Sequence, residues 1–279
     1  MNKPPKPKKI NKELFLHKDK RIDPYYWLRD DKRKNKKILD YLNQENSYTK
    51  DWFKKNNVNS EDIFRRYIDA IPKFEEGFKT EIDGYQYFST SHASQEYRKY
   101  YRQFKKKKTL ILDINKLAKN KKYFDISAIY PSRDHKYLAY GEDTNGRREF
   151  AIVIKDIKKN IKIEKNQCSS NGNIIWNKNS DGYFYLRKDP KTLITNSLFF
   201  HQLGTSVKED KLIFREKDKE YNLSISLSRT KKYLFLEISK TESNEFRFLD
   251  LEKENMDLIC FLKRKSKHSY YLDDTSNKF

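Results

Sequence analysis

The sequence predicts a mainly β protein: a partial β-propeller of about four four-stranded blades, preceded by a helical N-terminal arm. Three observations predict it. A turn running into an aromatic strand recurs as Asp83-Gly84-Tyr85, Asp134-His135-Lys136-Tyr137, Asp181-Gly182-Tyr183 and Thr230-Lys231-Lys232-Tyr233. Its tyrosines are spaced 52, 46 and 50 residues apart. Each period holds four short β-rich runs, the composition of one propeller blade. Evenly spaced hairpins of a β-sandwich are the alternative, but there the turn chemistry need not repeat with the spacing.

The elements follow in order. Residues 1 to about 20 read as extended, being rich in Pro and Lys. Asp23–Asp31 is an aromatic, turn-like segment. Lys36–Asn56 reads as a helix, with Ile38, Leu39, Leu42, Tyr48, Trp52 and Phe53 on one face. Part of that stripe is expected to stay exposed. Ser60, followed by Glu61 and Asp62, suggests the N-cap of a second helix through about Ala70, which Pro72 ends. The arm thus covers 1–72 and the propeller 73–279. The blades fall at about 77–114, 125–166, 172–217 and 222–263, with the start of a further blade after them. Their first strands are Phe78–Ile82, Ile126–Tyr130, Asn173–Trp176 and Leu223–Leu227. The third strands are Tyr97–Phe104, Glu149–Asp156, Ser197–Leu203 and Glu245–Leu251. The fourth are Thr109–Asp113, Ile161–Lys165, Lys211–Glu216 and Asp257–Leu262.

Composition bounds the function. Hydrophobic residues make up 36% of the 279, so the core is thin, although 20 Tyr and 18 Phe bury large areas each. The net charge of +21 would suit a nucleic acid or an anionic membrane. The cations, however, are 46 Lys and 15 Arg. Arg, not Lys, has the planar fork that recognises phosphate and base edges. With so few Gly and Pro, the excess reads better as compositional bias, and no nucleic acid is expected as partner. The basic N-terminus is followed by no apolar stretch of a secretory signal, and no run is long enough to span a bilayer. Cys168 and Cys260 form neither a zinc motif nor a disulfide framework. A reduced, cytoplasmic setting is expected, with no cofactor and no metal.

Candidate chemistry is sparse. None of His17, His92, His135, His201 and His268 pairs with another at metal-ligand spacing. Each is expected to be solvated or packed. Ser169-Ser170 and Ser224–Ser228 lack a positioned base and oxyanion hole. The acidic pairs Asp30-Asp31, Glu75-Glu76 and Asp273-Asp274 are expected on the surface. Arg147-Arg148 is expected to pair with Glu142-Asp143, each exposed pair contributing about 0–1 kcal/mol. Lys105–Lys108 should form a hairpin loop between the third and fourth strands of the first blade; its neighbours Tyr100, Tyr101 and Phe104 alternate as core. No residue is assigned a catalytic, cofactor-binding or metal-binding role.

A family resemblance covers essentially the whole chain. Asp23-Pro24-Tyr25-Tyr26-Trp27-Leu28-Arg29-Asp30-Asp31, then Tyr41-Leu42-x-x-Glu45-Asn46-x-Tyr48, resembles the N-terminal arm of the oligopeptidase B (protease II) group of the prolyl oligopeptidase family of serine peptidases. Leu112-Asp113-x-Asn115, Glu142-Asp143-Thr144-x-Gly146-Arg147-Arg148-x-Phe150, Trp176, His201-x-Leu203-Gly204-Thr205 and Ser239-Lys240-Thr241 with Glu245 follow collinearly. The chain departs at Ser94–Arg98 and at Ser132-Arg133-Asp134, where relatives keep turn-forming Gly or Pro. The resemblance implies a seven-bladed propeller that admits short peptides to an α/β-hydrolase domain, which cleaves after Lys or Arg through a serine. No G-x-S-x-G elbow occurs in these residues. They are therefore expected to carry the gating part and to be inactive alone, with short basic peptides as substrates only once a hydrolase domain, which a separate frame could encode, is present. A partial propeller would also leave unpaired edges. The alternative is a non-catalytic propeller-type binding module for an anionic or protein partner.

Overall fold

The computed structural model describes residues 3–275, and the chain divides into two compact units, one up to Lys73 and one from Phe74 onward. In the first unit, strands β1 (Lys12–Leu16) and β2 (Asp19–Asp23) pair as a hairpin through left-handed His17 and Lys18. The extended N-terminal reading is thus met as a paired ribbon. The aromatic segment then works as a turn device. Trp27 donates its indole N–H to the Lys8 carbonyl at 2.7 Å. The Asp30 carboxylate accepts the backbone N–H groups of Lys32, Lys34 and Asn35. These bonds, Asn35 foremost, hold its pKa below the ordinary carboxylate range. Asn35 caps helix α1 (Lys36–Lys55) by accepting from Lys37 N–H. Helix α2 (Ser60–Ala70) is capped by Asn59 rather than Ser60, because the Asn59 amide oxygen accepts from Glu61 N–H at 3.1 Å. On α1, Ile38 is buried while Leu39, Leu42, Trp52 and Phe53 remain exposed.

The second unit is the propeller. Its first blade comprises β3 (Phe74–Glu76), β4 (Thr80–Ile82), β5 (Tyr85–His92), β6 (Lys99–Phe104) and β7 (Lys107–Asp113), with both β3 and β4 on β5. A short helix, α3 (Ile114–Ala118), follows; no periodicity announced it. Asp113 caps it, and Asn115 bonds both the N–H and the carbonyl of Tyr97. The family-like Asp113-x-Asn115 pattern is therefore a staple for the preceding loop.

The second and third blades contain β8 (Asp125–Pro131), β9 (Tyr137–Asp143), β10 (Phe150–Asp156), β11 (Ile161–Trp176), β12 (Gly182–Lys188), β13 (Thr195–Gln202) and β14 (Lys211–Arg215). The fourth contains β15 (Asn222–Leu227), β16 (Tyr233–Lys240), β17 (Ser243–Asp250) and β18 (Ile259–Leu262). Tyr85, Tyr137 and Tyr233 open β5, β9 and β16, and Tyr183 is the second residue of β12. The sheets do not number one per blade. β11 runs without a break from the last strand of the second blade into the first strand of the third, joining them in one seven-stranded sheet. Around Ser170 its pairing shifts register on both sides, and Ser169 and Gly172 take left-handed backbone. The strand bends there instead of stopping.

The core lies between blades. Alternation along a central strand sends one side chain to each neighbour. From β9, Leu138 and Tyr140 join Tyr87, Ile111 and Leu112 of the first blade, while Ala139 faces the third. From β12, Tyr183 and Tyr185 face the second blade with Ile152, Ile154 and Cys168; Phe184 and Leu186 face the fourth with Leu223, Leu234 and Leu236. Such strands are buried on both faces and read as unbroken apolar runs. Burial pushes the Cys168 thiol up to about 12.

Candidate functional site

The first strands of all four blades surround one pocket of about 380 Å³. Ile82 comes from the first blade, Ile129, Tyr130 and Pro131 from the second, Asn173–Trp176 from the third, and Ile225–Leu227 from the fourth. Trp176 is held by an indole N–H bond to the Tyr130 carbonyl at 3.0 Å and stacks on Tyr137. The wall is mostly apolar. Its charged members, Asp83, Arg133 and Lys231, belong to the turns that leave those strands.

Those turns are built alike in the second and fourth blades. Ser132 Oγ accepts Tyr137 N–H at 2.8 Å, and Ser228 Oγ accepts Tyr233 N–H at 3.1 Å. His135 and Lys231 are the left-handed residues inside them. In the third blade Asn177 takes the serine's place, accepting from Asp181 and Gly182. The first blade turns tightly through left-handed Asp83 and Gly84. The turns also exchange charges. Lys231 Nζ meets both Asp83 oxygens at 3.0 and 3.2 Å. Arg133 donates to Glu252 at 3.1 Å and, with its other nitrogen, to the Lys231 carbonyl. Lys178 reaches Glu252 at 2.7 Å. Lys231 chiefly holds Asp83 below its ordinary pKa, and Lys178 and Arg133 do so for Glu252. His135 stacks on Tyr85, bonds Tyr87 through Nδ1 at 2.8 Å, and stands with Nε2 3.6 Å from Asp83. Burial lowers its pKa.

A second polar centre is built around a buried histidine. His201 has no exposed surface; its Nδ1 is 2.6 Å from Asp210 and its Nε2 3.0 Å from Glu164. Arg187 reaches Asp210 at 2.8 Å, Tyr185 donates to the same carboxylate, and Asn166 donates to Tyr183 Oη at 2.6 Å. Gly204 N–H closes on Glu164 at 2.9 Å. Burial alone would depress the imidazole, but Glu164 and Asp210 outweigh it and raise its pKa. The paired charges and satisfied oxygens make this a packing centre between the second and third blades. The expectation that His201 is packed is met, but its partners lie on β11 and on the segment before β14, where no local pattern links them to it.

Most of the remaining candidates have partners in the structure. Ser169 donates to Glu149, Ser170 accepts Gly172 N–H, and Ser224 donates to Glu237. His92 bonds Ser94 on an exposed hairpin. Glu75 pairs with Arg98, Glu76 with Lys79 and Lys108, and Asp273 with Arg229; Asp274 accepts from Thr230. The expected pairing of Arg147-Arg148 with Glu142-Asp143 is replaced. Glu142 is buried and takes Lys162 and Lys165 from β11, Arg147 pairs with Glu149, and Asp143 receives the N–H groups of Asn145, Gly146 and Arg148. The reason is strand geometry. Glu142 and Asp143 point to opposite faces of β9, so one finds the lysines and the other the loop. Within Lys105–Lys108, only Lys105 and Lys106 form the turn; Lys108 lies over the Phe88 and Tyr101 rings. Among the described residues no group of three or more His, Cys, Asp or Glu is placed to hold a metal, and no helix is long and apolar enough to cross a membrane.

Comparison with known proteins gives the fold a setting. Residues 4–279 match the family model of the prolyl oligopeptidase N-terminal β-propeller domain. The chain is 29% identical over 250 residues to dipeptidyl aminopeptidase BI of Pseudoxanthomonas mexicana, covering 83% of this chain and 34% of that protein. It is 29% identical over 255 residues to protease 2 of Moraxella lacunata, covering 88% and 36%. It superposes on oligopeptidase B from Leishmania major with a TM-score of 0.91 at 24% identity, covering 98% of this chain and 41% of that one. The chain thus spans about a third of the length of the curated relatives it matches.

Proposed function

The chain belongs to the prolyl oligopeptidase family through its N-terminal β-propeller domain, and on that premise we propose that it is the arm and peptide-admitting part of an oligopeptidase B-like enzyme. In this reading short peptides pass the pocket surrounded by the four first strands. Cleavage after Lys or Arg would be the work of a serine on a hydrolase domain outside residues 1–279. The match along residues 4–279 carries the reading. The resemblance of the arm motif Asp23–Asp31 to that group and the 29% identity to protease 2 of Moraxella lacunata support the oligopeptidase B branch. The serines named above are engaged in turns and strands, and no G-x-S-x-G elbow occurs in the sequence. These residues by themselves are therefore expected to be catalytically silent.

The test treats the purified chain with a fluorophosphonate probe and with fluorogenic Arg and Lys peptides. No serine labelling and no turnover are expected. Stoichiometric labelling of any serine would overturn the assignment of this chain as non-catalytic. Supplying further blades and a hydrolase domain with a G-x-S-x-G motif, fused to the chain or as a second polypeptide, should create turnover on Arg and Lys peptides. Turnover restricted to other residues would reject the Lys/Arg specificity.

A further inference from the structure

The first and fourth blades share no strand pairing, being in separate sheets. At the pocket mouth they nevertheless meet, through residues 148 positions apart in sequence. We propose that Lys231 and Asp83 form an ionic latch that closes the axial pocket by tying the turn of the fourth blade to that of the first. The inference takes the pocket as the passage described above, but its geometry stands without any activity.

Three observations carry it. Both latch residues line the pocket, so the pair forms part of its wall rather than a remote surface contact. Lys231 is seated from two sides: its ammonium meets both Asp83 oxygens, and its carbonyl is held by Arg133 from the second blade. Arg133 is fixed in turn by Glu252, which Lys178 of the third blade also holds. One connected run of ion pairs, joined by the Arg133 bond to the Lys231 carbonyl, therefore crosses all four blades. Finally, the pair itself is half exposed, at 46% for Lys231 and 58% for Asp83. Water and salt reach it, so the contact is weak enough to open reversibly. The His201–Asp210 pair, by contrast, is at most 1% exposed.

Trp176 reports on the pocket directly, since it lines the wall and is only 5% exposed. Replacing Trp27 and Trp52 by Phe leaves Trp176 as the single tryptophan. Acrylamide quenching of its fluorescence is then measured in the purified chain. Lys231→Met and Asp83→Asn should each raise the quenching constant about two- to five-fold, the population change that an exposed ion pair supplies. Raising salt from about 0.05 M to about 1 M should do the same in the parent and little in Lys231→Met. The swapped pair, Asp83→Lys with Lys231→Asp, should restore the low value. Equal quenching in all variants at both salts, with native circular dichroism retained, would overturn the latch. So would a swapped pair as open as the single variants. Should the substitutions unfold the chain, the parent's salt titration decides alone: salt-independent quenching overturns the proposal. No readout here uses a peptidase, so failure of the cleavage assay and failure of the latch are separate results.

Discussion

His201 shows how one residue sets a pH limit. Its imidazole lies between Asp210 and Glu164, and those carboxylates raise its pKa against the pull of burial. A group whose pKa is raised by folding stabilises fully below its ordinary value near 6.5 and loses that contribution as pH rises through the folded value. Glu164 works in the opposite direction. Burial resists its ionisation, but His201 and the Gly204 N–H bring its pKa below the usual carboxylate range. Its contribution is present above that range and fades as pH falls through the lowered value. His201→Gln should therefore destabilise the protein by about 3 kcal/mol near pH 6, the cost of leaving buried charge unpaired. The difference from the parent should shrink at pH 9. Urea midpoints at the two pH values check it, and a difference that grows with pH would contradict the assignment. Glycine is similarly specific at this scale. Gly84 of the signature turn is needed for its left-handed backbone, whereas a Cβ on Gly182 would meet Phe200 at 2.4 Å and the His201 carbonyl at 2.8 Å. The same two letters, Asp-Gly, thus answer to a conformation in one blade and to close packing in another.

At the scale of the element, the repeating turn is held by one side chain. Ser132 is 1% exposed; its Oγ accepts Tyr137 N–H and donates to Asp134. Ser132→Ala leaves that strand-opening N–H without a partner and should cost about 1–3 kcal/mol, measured by chemical denaturation. Hydrogen exchange should show Tyr137 losing protection first. These turns were legible as a recurring pattern, and so were the strands that follow, because Tyr-Leu-Ala-Tyr and Tyr-Phe-Tyr-Leu are buried on both faces and need no polar alternation. What was not legible had a common cause. β11 carries Ser169, Ser170 and Gly172 in its middle, a composition that reads as a loop until the pairing on both sides is seen. Helix α3 is a single short turn with too few residues for a period to show. The pocket wall collects Ile82, Ile129, Ile174 and Ile225 from segments roughly fifty residues apart, each of which looks like ordinary strand core. Its charged mouth depends on contacts such as Lys231 with Asp83, which no local pattern encodes.

For the molecule as a whole, burial is divided unevenly. The blades hold the three large apolar clusters, while the arm's helices keep Trp52 at 44% and Phe64 at 64% exposure. Trp52→Asp should therefore change the stability of this chain by no more than about 0.5 kcal/mol, as for a surface position outside any network. A thermal or urea titration that shows a loss of several kcal/mol would place Trp52 in an internal core and contradict the exposed stripe on α1. The joined sheet of the second and third blades has a further consequence, which concerns inheritance. Repeat proteins gain and lose units when a gene segment is duplicated or excised, and such an event is tolerated when its ends fall between pieces of structure. Between these two blades no such gap exists, because Ile161–Trp176 is a single strand serving both. A crossover at Ser170 would part the residues that pair with β10 from those that pair with β12 and bare an edge on each side, so excision should be tolerated less well here than between the first two blades, where α3 and a loop intervene.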